Sequence, residues 1–374
     1  MSVLGVLRRA KPPIWPVPGK APPSQPNVGR PVTGSRLGCA ARVLLALIVL
    51  LVVALGVAFW RLGTTVTNYP GAHFNLGRNA VWLEHTWAGQ QHTDDEYDQL
   101  AARLEREQVG YVFAHVGPLD SDGTIPGDRA PNAAGLVAAL HARLPHVRVL
   151  AWIGQVEVAG GYPADQSVSL DDSAVRLQIA QTAARIAADD GFDGVHYDIE
   201  PIVNNNPRFL DLLQETQARL PNGAMLSVVG QKWAPNAHVA DLLRGVGRGD
   251  AWWTSYYYAA VAAHVDQIVP MLYNTAMPTQ GSYELAMQQE TQHILEATRS
   301  ARQPPEVLIG LPTYPGNGFW FHATAENMAS GLHGVIAGLN SNHDTSAFTG
   351  VAIYRFATTS DADWRTYEQL WLGK

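Results

Sequence analysis

The chain has 374 residues, 33 acidic against 26 basic side chains, a net charge of −7 and a single cysteine. That length accommodates one large domain with an appendage, stable on its own core, and one cysteine excludes a disulfide framework. Removing the seven basic residues of the N-terminal tail from the 26 leaves 19 Lys and Arg against 33 Asp and Glu, a net of −14 over the remainder. Nucleic acid wants the opposite sign and is excluded as a partner.

No acidic residue precedes position 61, and residues 1–42 carry Arg8, Arg9, Lys11, Lys20, Arg30, Arg36 and Arg42 among many prolines. With too few apolar residues to build a core, this tail is expected to be disordered. From Val43 to Trp60 the chain is uncharged and almost wholly apolar. Eighteen such residues approach the length of a bilayer-crossing helix, and the basic excess before them puts the N-terminus in the cytoplasm. The expectation is therefore a cell-membrane protein with one signal-anchor helix at 43–60, a linker at 61–79 and an extracytoplasmic domain at 80–374. Cleavage after Gly56-Val57-Ala58 is the competing reading, disfavoured by so long a basic region ahead of the apolar run. Cys39 precedes that run, so it is not placed for lipid attachment.

From Ala80 onward short apolar runs alternate with amphipathic stretches, the pattern of a parallel sheet with helices around it. The strands are expected at 80–86, 111–116, 147–153, 194–200, 225–229, 267–273, 307–311 and 350–356. Thr93 and Glu96 form a capping box for the first helix. Val175, Ile179, Ala183 and Ile186 make an apolar stripe on the third, and Tyr256-Tyr257-Tyr258 fall on the fifth as packing. Eight such units in about 300 residues fit a (β/α)8 TIM barrel. A glycine-rich phosphate loop after the first strand, the mark of an open doubly wound sheet, is missing.

The chemistry is concentrated in Gly191-Phe-Asp-Gly-Val-His-Tyr-Asp-Ile-Glu-Pro201. On a strand, side chains repeat every two residues, so His196, Asp198 and Glu200 share one face and Glu200 stands at the strand's C-terminal end, where barrels carry their active sites. Two neighbouring carboxylates in a partly desolvated place cannot both ionise freely, and one is kept protonated as a donor. Glu200 is the candidate donor.

This run resembles the strand-four signature of glycoside hydrolase family 18, the chitinase family, written Asp-Gly-x-Asp-x-Asp-x-Glu. Asp193, Gly194, Asp198 and Glu200 match, whereas His196 stands where the family has aspartate. Met271-Leu272-Tyr273-Asn274 resembles the strand-six Met-x-Tyr-Asp with Asn274 for aspartate. Trp152-Ile153-Gly154-Gln155 keeps only the glycine of Ser-x-Gly-Gly, and Tyr354 falls where the family commonly has a tryptophan under the sugar. The resemblance implies substrate-assisted retaining hydrolysis of β-linked N-acetylglucosamine-containing glycans, without metal or organic cofactor. In it Asp198 accepts the acetamido N–H, Tyr273 hydrogen-bonds its carbonyl, and Glu200 protonates the leaving oxygen and then activates water. His196, Asn274, Trp152, Gln155, Tyr354, Glu84 and Glu157 are expected to contribute to the sugar pocket. An imidazole at position 196 either pairs with Asp198 as a cation or donates to it when neutral, or it merely fills the barrel.

Aromatic residues near strand ends, among them Trp82, Trp152, Tyr314, Trp320 and Tyr354, suit either a carbohydrate cleft or barrel core. Two other classes stay open. One is a catalytically silent carbohydrate-binding barrel, suggested by the altered motif. The other is a metal-dependent hydrolase in which Glu84, His85, His115 or Glu157 supplement His196, Asp198 and Glu200.

Overall fold

The structure, a computed structural model, describes residues 39–62, 71–158, 161–246, 251–318 and 321–374. The tail expected to be disordered, up to residue 38, and the 63–70 part of the linker expected at 61–79 lie outside the described residues, as does Trp320. The chain divides into two units between Ala54 and Leu55. The apolar run is helical within Cys39–Leu62, and the side chains from Val43 to Val53 are exposed. Among the described residues no helix is long and apolar enough to cross a membrane. The side chains at 55 and 58–60, the end of the run, lie outside them.

Among the described residues ten strands follow: β1 (Asn79–Leu83), β2 (Val109–His115), β3 (Arg148–Val156), β4 (Gly194–Glu200), β5 (Met225–Gly230), β6 (Lys232–Ala234), β7 (Trp252–Thr254), β8 (Gln267–Pro270), β9 (Glu306–Pro312) and β10 (Phe348–Tyr354). Eight of them close a parallel barrel in the order β1-β2-β3-β4-β5-β8-β9-β10, sealed where Ala80 pairs with Ala352. Strands β6 and β7 form a separate two-stranded sheet. All eight expected strands are present and the expected closure holds.

Alternation along each strand divides the core in two. Trp82, Phe113, Leu150, Met225 and Leu308 fill the barrel's interior. Val81, Val112, Val149, Val195 and Ile309 face outward against the helices. The first long helix, Asp94–Arg106, starts as expected: Thr93 Oγ1 accepts from Glu96 N–H, and Thr93 N–H donates to Glu96 Oε2 at 2.7 Å. On the helix Ser173–Asp189, Ile179, Ala183 and Ile186 are buried. On Ser255–Ala262, Tyr257 and Tyr258 are buried while Tyr256 is 78% exposed, so only two of the three tyrosines pack.

Three strands stop two or three residues short of expectation, and β3 runs on to Val156 rather than Ile153. The sixth barrel strand stops at Pro270 rather than Tyr273, and Asn274 and Ala276 adopt left-handed φ of 57°. Proline gives the ladder no N–H, so 271–276 turns out along the rim as a loop. The first strand ends at Leu83, with Thr86 in the short helix His85–Gly89, and the last ends at Tyr354 instead of Phe356.

Gly194 opens the strand that carries the carboxylates because no side chain fits there. A Cβ would lie 2.1 Å from the Met225 carbonyl oxygen and 2.6 Å from its nitrogen, both backbone atoms of the paired strand. The neighbouring Asp193 anchors the same end, its Oδ2 accepting from Val149 N–H and bonding His141 Nε2, each at 2.8 Å. Gly194→Ala is expected to destabilise the barrel by about 1–3 kcal/mol, read from the urea midpoint. An unchanged midpoint would show that the two strands can separate freely here.

Candidate active site

Three residues of β4 climb the inside of the barrel in steps. His196 is fully buried, Asp198 is half-buried with its Oδ1 sealed from solvent, and Glu200 is half-buried at the rim. Strand β3 runs beside them in register, with Trp152 opposite His196, Gly154 opposite Asp198 and Val156 opposite Glu200.

At the lowest step the His196 ring stacks on Phe113, 3.9 Å between centroids at 10°. Trp82 Nε1–H donates to Nε2 at 3.1 Å, and an indole nitrogen can only donate, so Nε2 is the acceptor and the imidazole proton sits on Nδ1. Nδ1–H then donates to Ser227 Oγ at 2.8 Å, and Ser227 donates to Gln267 Oε1 at 2.8 Å. Burial without an opposing charge pulls the imidazole down to about 3, so it is neutral at physiological pH. His196 reaches neither Asp198 nor a surface a sugar can touch. The expected pocket role of His196 is therefore corrected: it is a neutral hydrogen-bonded core residue. Trp82 is core for the same reason.

At the middle step Asp198 Oδ2 accepts from Trp152 Nε1–H at 2.8 Å. Its Oδ1 accepts from no protein donor. Burial pushes the Asp198 carboxyl up to about 6, while the Trp152 N–H and the Glu200 carboxyl oppose that rise. The Glu200 carboxyl is thus within reach of the Asp198 carboxyl. At the rim Glu200 Oε1 also accepts from Gln231 Nε2 at 3.1 Å.

Tyr273 closes the other side. Its hydroxyl is buried and has no hydrogen-bond partner, and its pKa is raised well above the usual phenol value, chiefly by burial and further by the neighbouring Tyr354, Tyr314, Asp198 and Glu200. Tyr354 stacks on Tyr273 at 5.4 Å and meets the edge of Trp152 at 6.2 Å. Trp152, Asp198, Glu200, Tyr273 and Tyr354 thus converge at the C-terminal mouth of the barrel.

Other expected pocket residues serve as supports. The Gln155 amide donates to the Leu119 carbonyl and accepts from Val156 N–H, so both its ends are held by backbone. Glu84 accepts from Ala357 N–H, tying β1 to the loop after β10, and burial raises its pKa. Asn274 Oδ1 accepts from Tyr314 Oη–H at 2.8 Å. The Glu157 side chain is buried, and its N–H donates to the Glu200 carbonyl at 2.7 Å, which fixes the backbone of the donor residue. Among the described residues no three His, Cys, Asp or Glu are grouped to hold a metal ion.

Gln231 escaped the sequence reading although it follows the fifth expected strand directly, at the height of the other strand ends. Glu326, buried behind the 271–276 loop, has no sequence signal. A hollow of about 880 Å³ opens at the opposite end of the barrel, lined by Gln214, His264, Asp266, Arg302 and Glu306 among others. It holds none of these groups, and chemistry in such barrels sits at the other face, so its size does not make it the active site.

Trp152→Phe keeps the ring and removes the N–H. The Asp198 carboxyl is then expected to titrate above its present value of about 6, followed by carbon NMR of labelled aspartate. An unshifted titration would show that the indole does not support the charge.

No family model and no curated protein matches the chain. Solved structures do resemble it. A plant class V chitinase mutant from Cycas revoluta, solved with (GlcNAc)3, aligns with a TM-score of 0.54 at 13% identity, over 79% of this chain and 99% of that one. The spore cortex-lytic enzyme SleL of Bacillus cereus gives 0.52 at 13% identity, over 79% and 74%. A chitinase from Bacteroides thetaiotaomicron gives 0.51 at 12%, over 79% and 96%. At such identities the likeness establishes the fold: the chain from Ala80 onward is a barrel of the kind found in these chitinases.

Proposed function

We propose that this barrel is a glycoside hydrolase of the family 18 type, cleaving glycans that contain β-linked N-acetylglucosamine. The supporting observation is a pair of buried oxygens with no hydrogen-bond partner, Asp198 Oδ1 and Tyr273 Oη, beside a rim carboxyl. One is a pure acceptor and the other a donor. Together they complement an amide, whose N–H meets Asp198 and whose carbonyl oxygen meets Tyr273. The strand-four resemblance and the chitinase and cortex-lytic neighbours point the same way.

In the reaction the acetamido oxygen of the bound sugar attacks the anomeric carbon as Glu200 gives its proton to the departing glycosidic oxygen. The ring formed carries positive charge on the amide, which the ionised Asp198 stabilises while Trp152 N–H holds Asp198 in place. Glu200, now a carboxylate, takes a proton from water, which reopens the ring at the anomeric carbon with net retention. Asp198 must be ionised for this, so activity falls as pH drops through about 6.

The replaced motif position favours a second reading, binding without turnover, because His196 gives Asp198 no proton or hydrogen bond. Trp152 answers that objection by supplying a fixed donor. We further propose that the barrel lies outside the cytoplasm. The basic tail, the uncharged run 43–60 and the exposed apolar helix surface from Val43 to Val53 support this placement.

Chito-oligosaccharide and peptidoglycan-fragment hydrolysis, followed by product chromatography, tests the assignment. Glu200→Gln is expected to lower turnover by about a hundredfold or more while calorimetry still detects sugar binding. Unchanged turnover in the variant would remove Glu200 as the acid, and binding without product in the native chain would establish the silent reading.

A further inference from the structure

We propose that Glu326 is a positioning residue for this site, its carboxylate clamping the backbone at Asn274–Thr275 and thereby setting the Tyr273 hydroxyl against Asp198 and Glu200. The inference rests on the acetamido-binding role proposed for Tyr273.

Beyond Met271, whose N–H still donates to the Gly230 carbonyl at 3.0 Å, the chain leaves the barrel ladder, so the loop carrying Tyr273 must find its hydrogen bonds elsewhere. Two side chains from outside provide them. Tyr283, on the helix Gln280–Thr298, donates its hydroxyl to the Leu272 carbonyl at 2.8 Å. Glu326 accepts from Thr275 N–H at 3.1 Å and from Thr275 Oγ1–H at 3.0 Å through Oε1, and it also bonds the Asn274 backbone N–H. The loop therefore has a carbonyl held just before Tyr273 and two successive N–H groups held just after it.

This clamp acts on backbone in a sparsely populated conformation. Asn274 and Ala276 are both left-handed, with φ of 57°, although neither is glycine. Such geometry persists only where the surroundings over-determine it, and a two-oxygen acceptor is suited to gather converging N–H and O–H groups. Glu326 is itself fixed. Its N–H donates to the His322 carbonyl at 2.8 Å, and it directly precedes the cap Asn327 of the helix Met328–Ser341, whose N-terminus favours negative charge.

Burial pushes Glu326 up to about 7, against the pull of the loop donors and of Lys232. The titratable groups around it are Lys232 on β6 and Tyr283 on the neighbouring helix, with the buried Glu290 behind them facing Tyr283. A buried acid held so near neutrality, away from the reacting carboxylates, is retained for the bonds it accepts.

The test combines hydrogen exchange with kinetics on the full chain. In Glu326→Gln, which keeps size but turns one acceptor into a donor, the amides of Asn274 and Thr275 are expected to exchange faster while barrel-strand amides keep their protection. Turnover of chito-oligosaccharide falls by about tenfold to hundredfold with little change in KM. In a Tyr273→Phe background the same substitution adds no further loss, because Glu326 acts through Tyr273. Unchanged exchange at 274–275, or a full additional loss in the Tyr273→Phe background, overturns the proposal. Faster exchange in a chain whose native form hydrolyses no glycan upholds the clamp and rejects the glycosidase reading instead.

Discussion

The site depends on how one buried carboxyl, that of Asp198, is held in the mouth of the barrel. Burial alone would keep it protonated and useless as a partner for positive charge. The Trp152 indole N–H offsets part of that burial with a bond that does not titrate. The Glu200 carboxyl offsets a further, smaller part of it. Both supports are set by the backbone: the indole by strand pairing that puts β3 beside β4 in fixed register, the carboxyl by the two-residue step along β4.

Beneath that pair the barrel floor is neutral. Trp82, His196, Ser227 and Gln267 form a chain of hydrogen bonds in which each donor finds an acceptor without any formal charge. A carboxylate in place of His196 would put a second negative charge below Asp198. The imidazole avoids this and passes the task of steadying Asp198 sideways to Trp152. Two of the departures from the motifs that the chain resembles, at 152 and 196, are directly paired across the strands and make sense together.

Much of this was legible in the chain. The eight strands showed themselves because parallel barrel strands are apolar runs of the right length, and period-two alternation placed 196, 198 and 200 on one face before any coordinates. Alternation says nothing of depth, however, and depth separates His196, sealed by Trp82 and Phe113, from Glu200 at the rim. The loop after β8 read as strand because Met271, Leu272 and Tyr273 continue an apolar run, although Pro270 removes the ladder donor. Gln155 and Glu84 stand near strand ends as a pocket residue should, yet the backbone of adjacent loops takes up their polar ends. Glu326 was invisible because its partners are 51 residues away and are backbone groups that leave no mark in sequence.

On the proposed reading Asp198 and Tyr273 receive an acetamido group, so the most direct measurement compares an N-acetylglucosamine oligomer with its fully N-deacetylated counterpart as substrates under identical conditions. The acetylated oligomer should be hydrolysed and the deacetylated one left intact, since the latter lacks both the carbonyl that attacks and the amide that the two oxygens bind. Equal cleavage of the two, or cleavage of the deacetylated chain alone, would contradict the account.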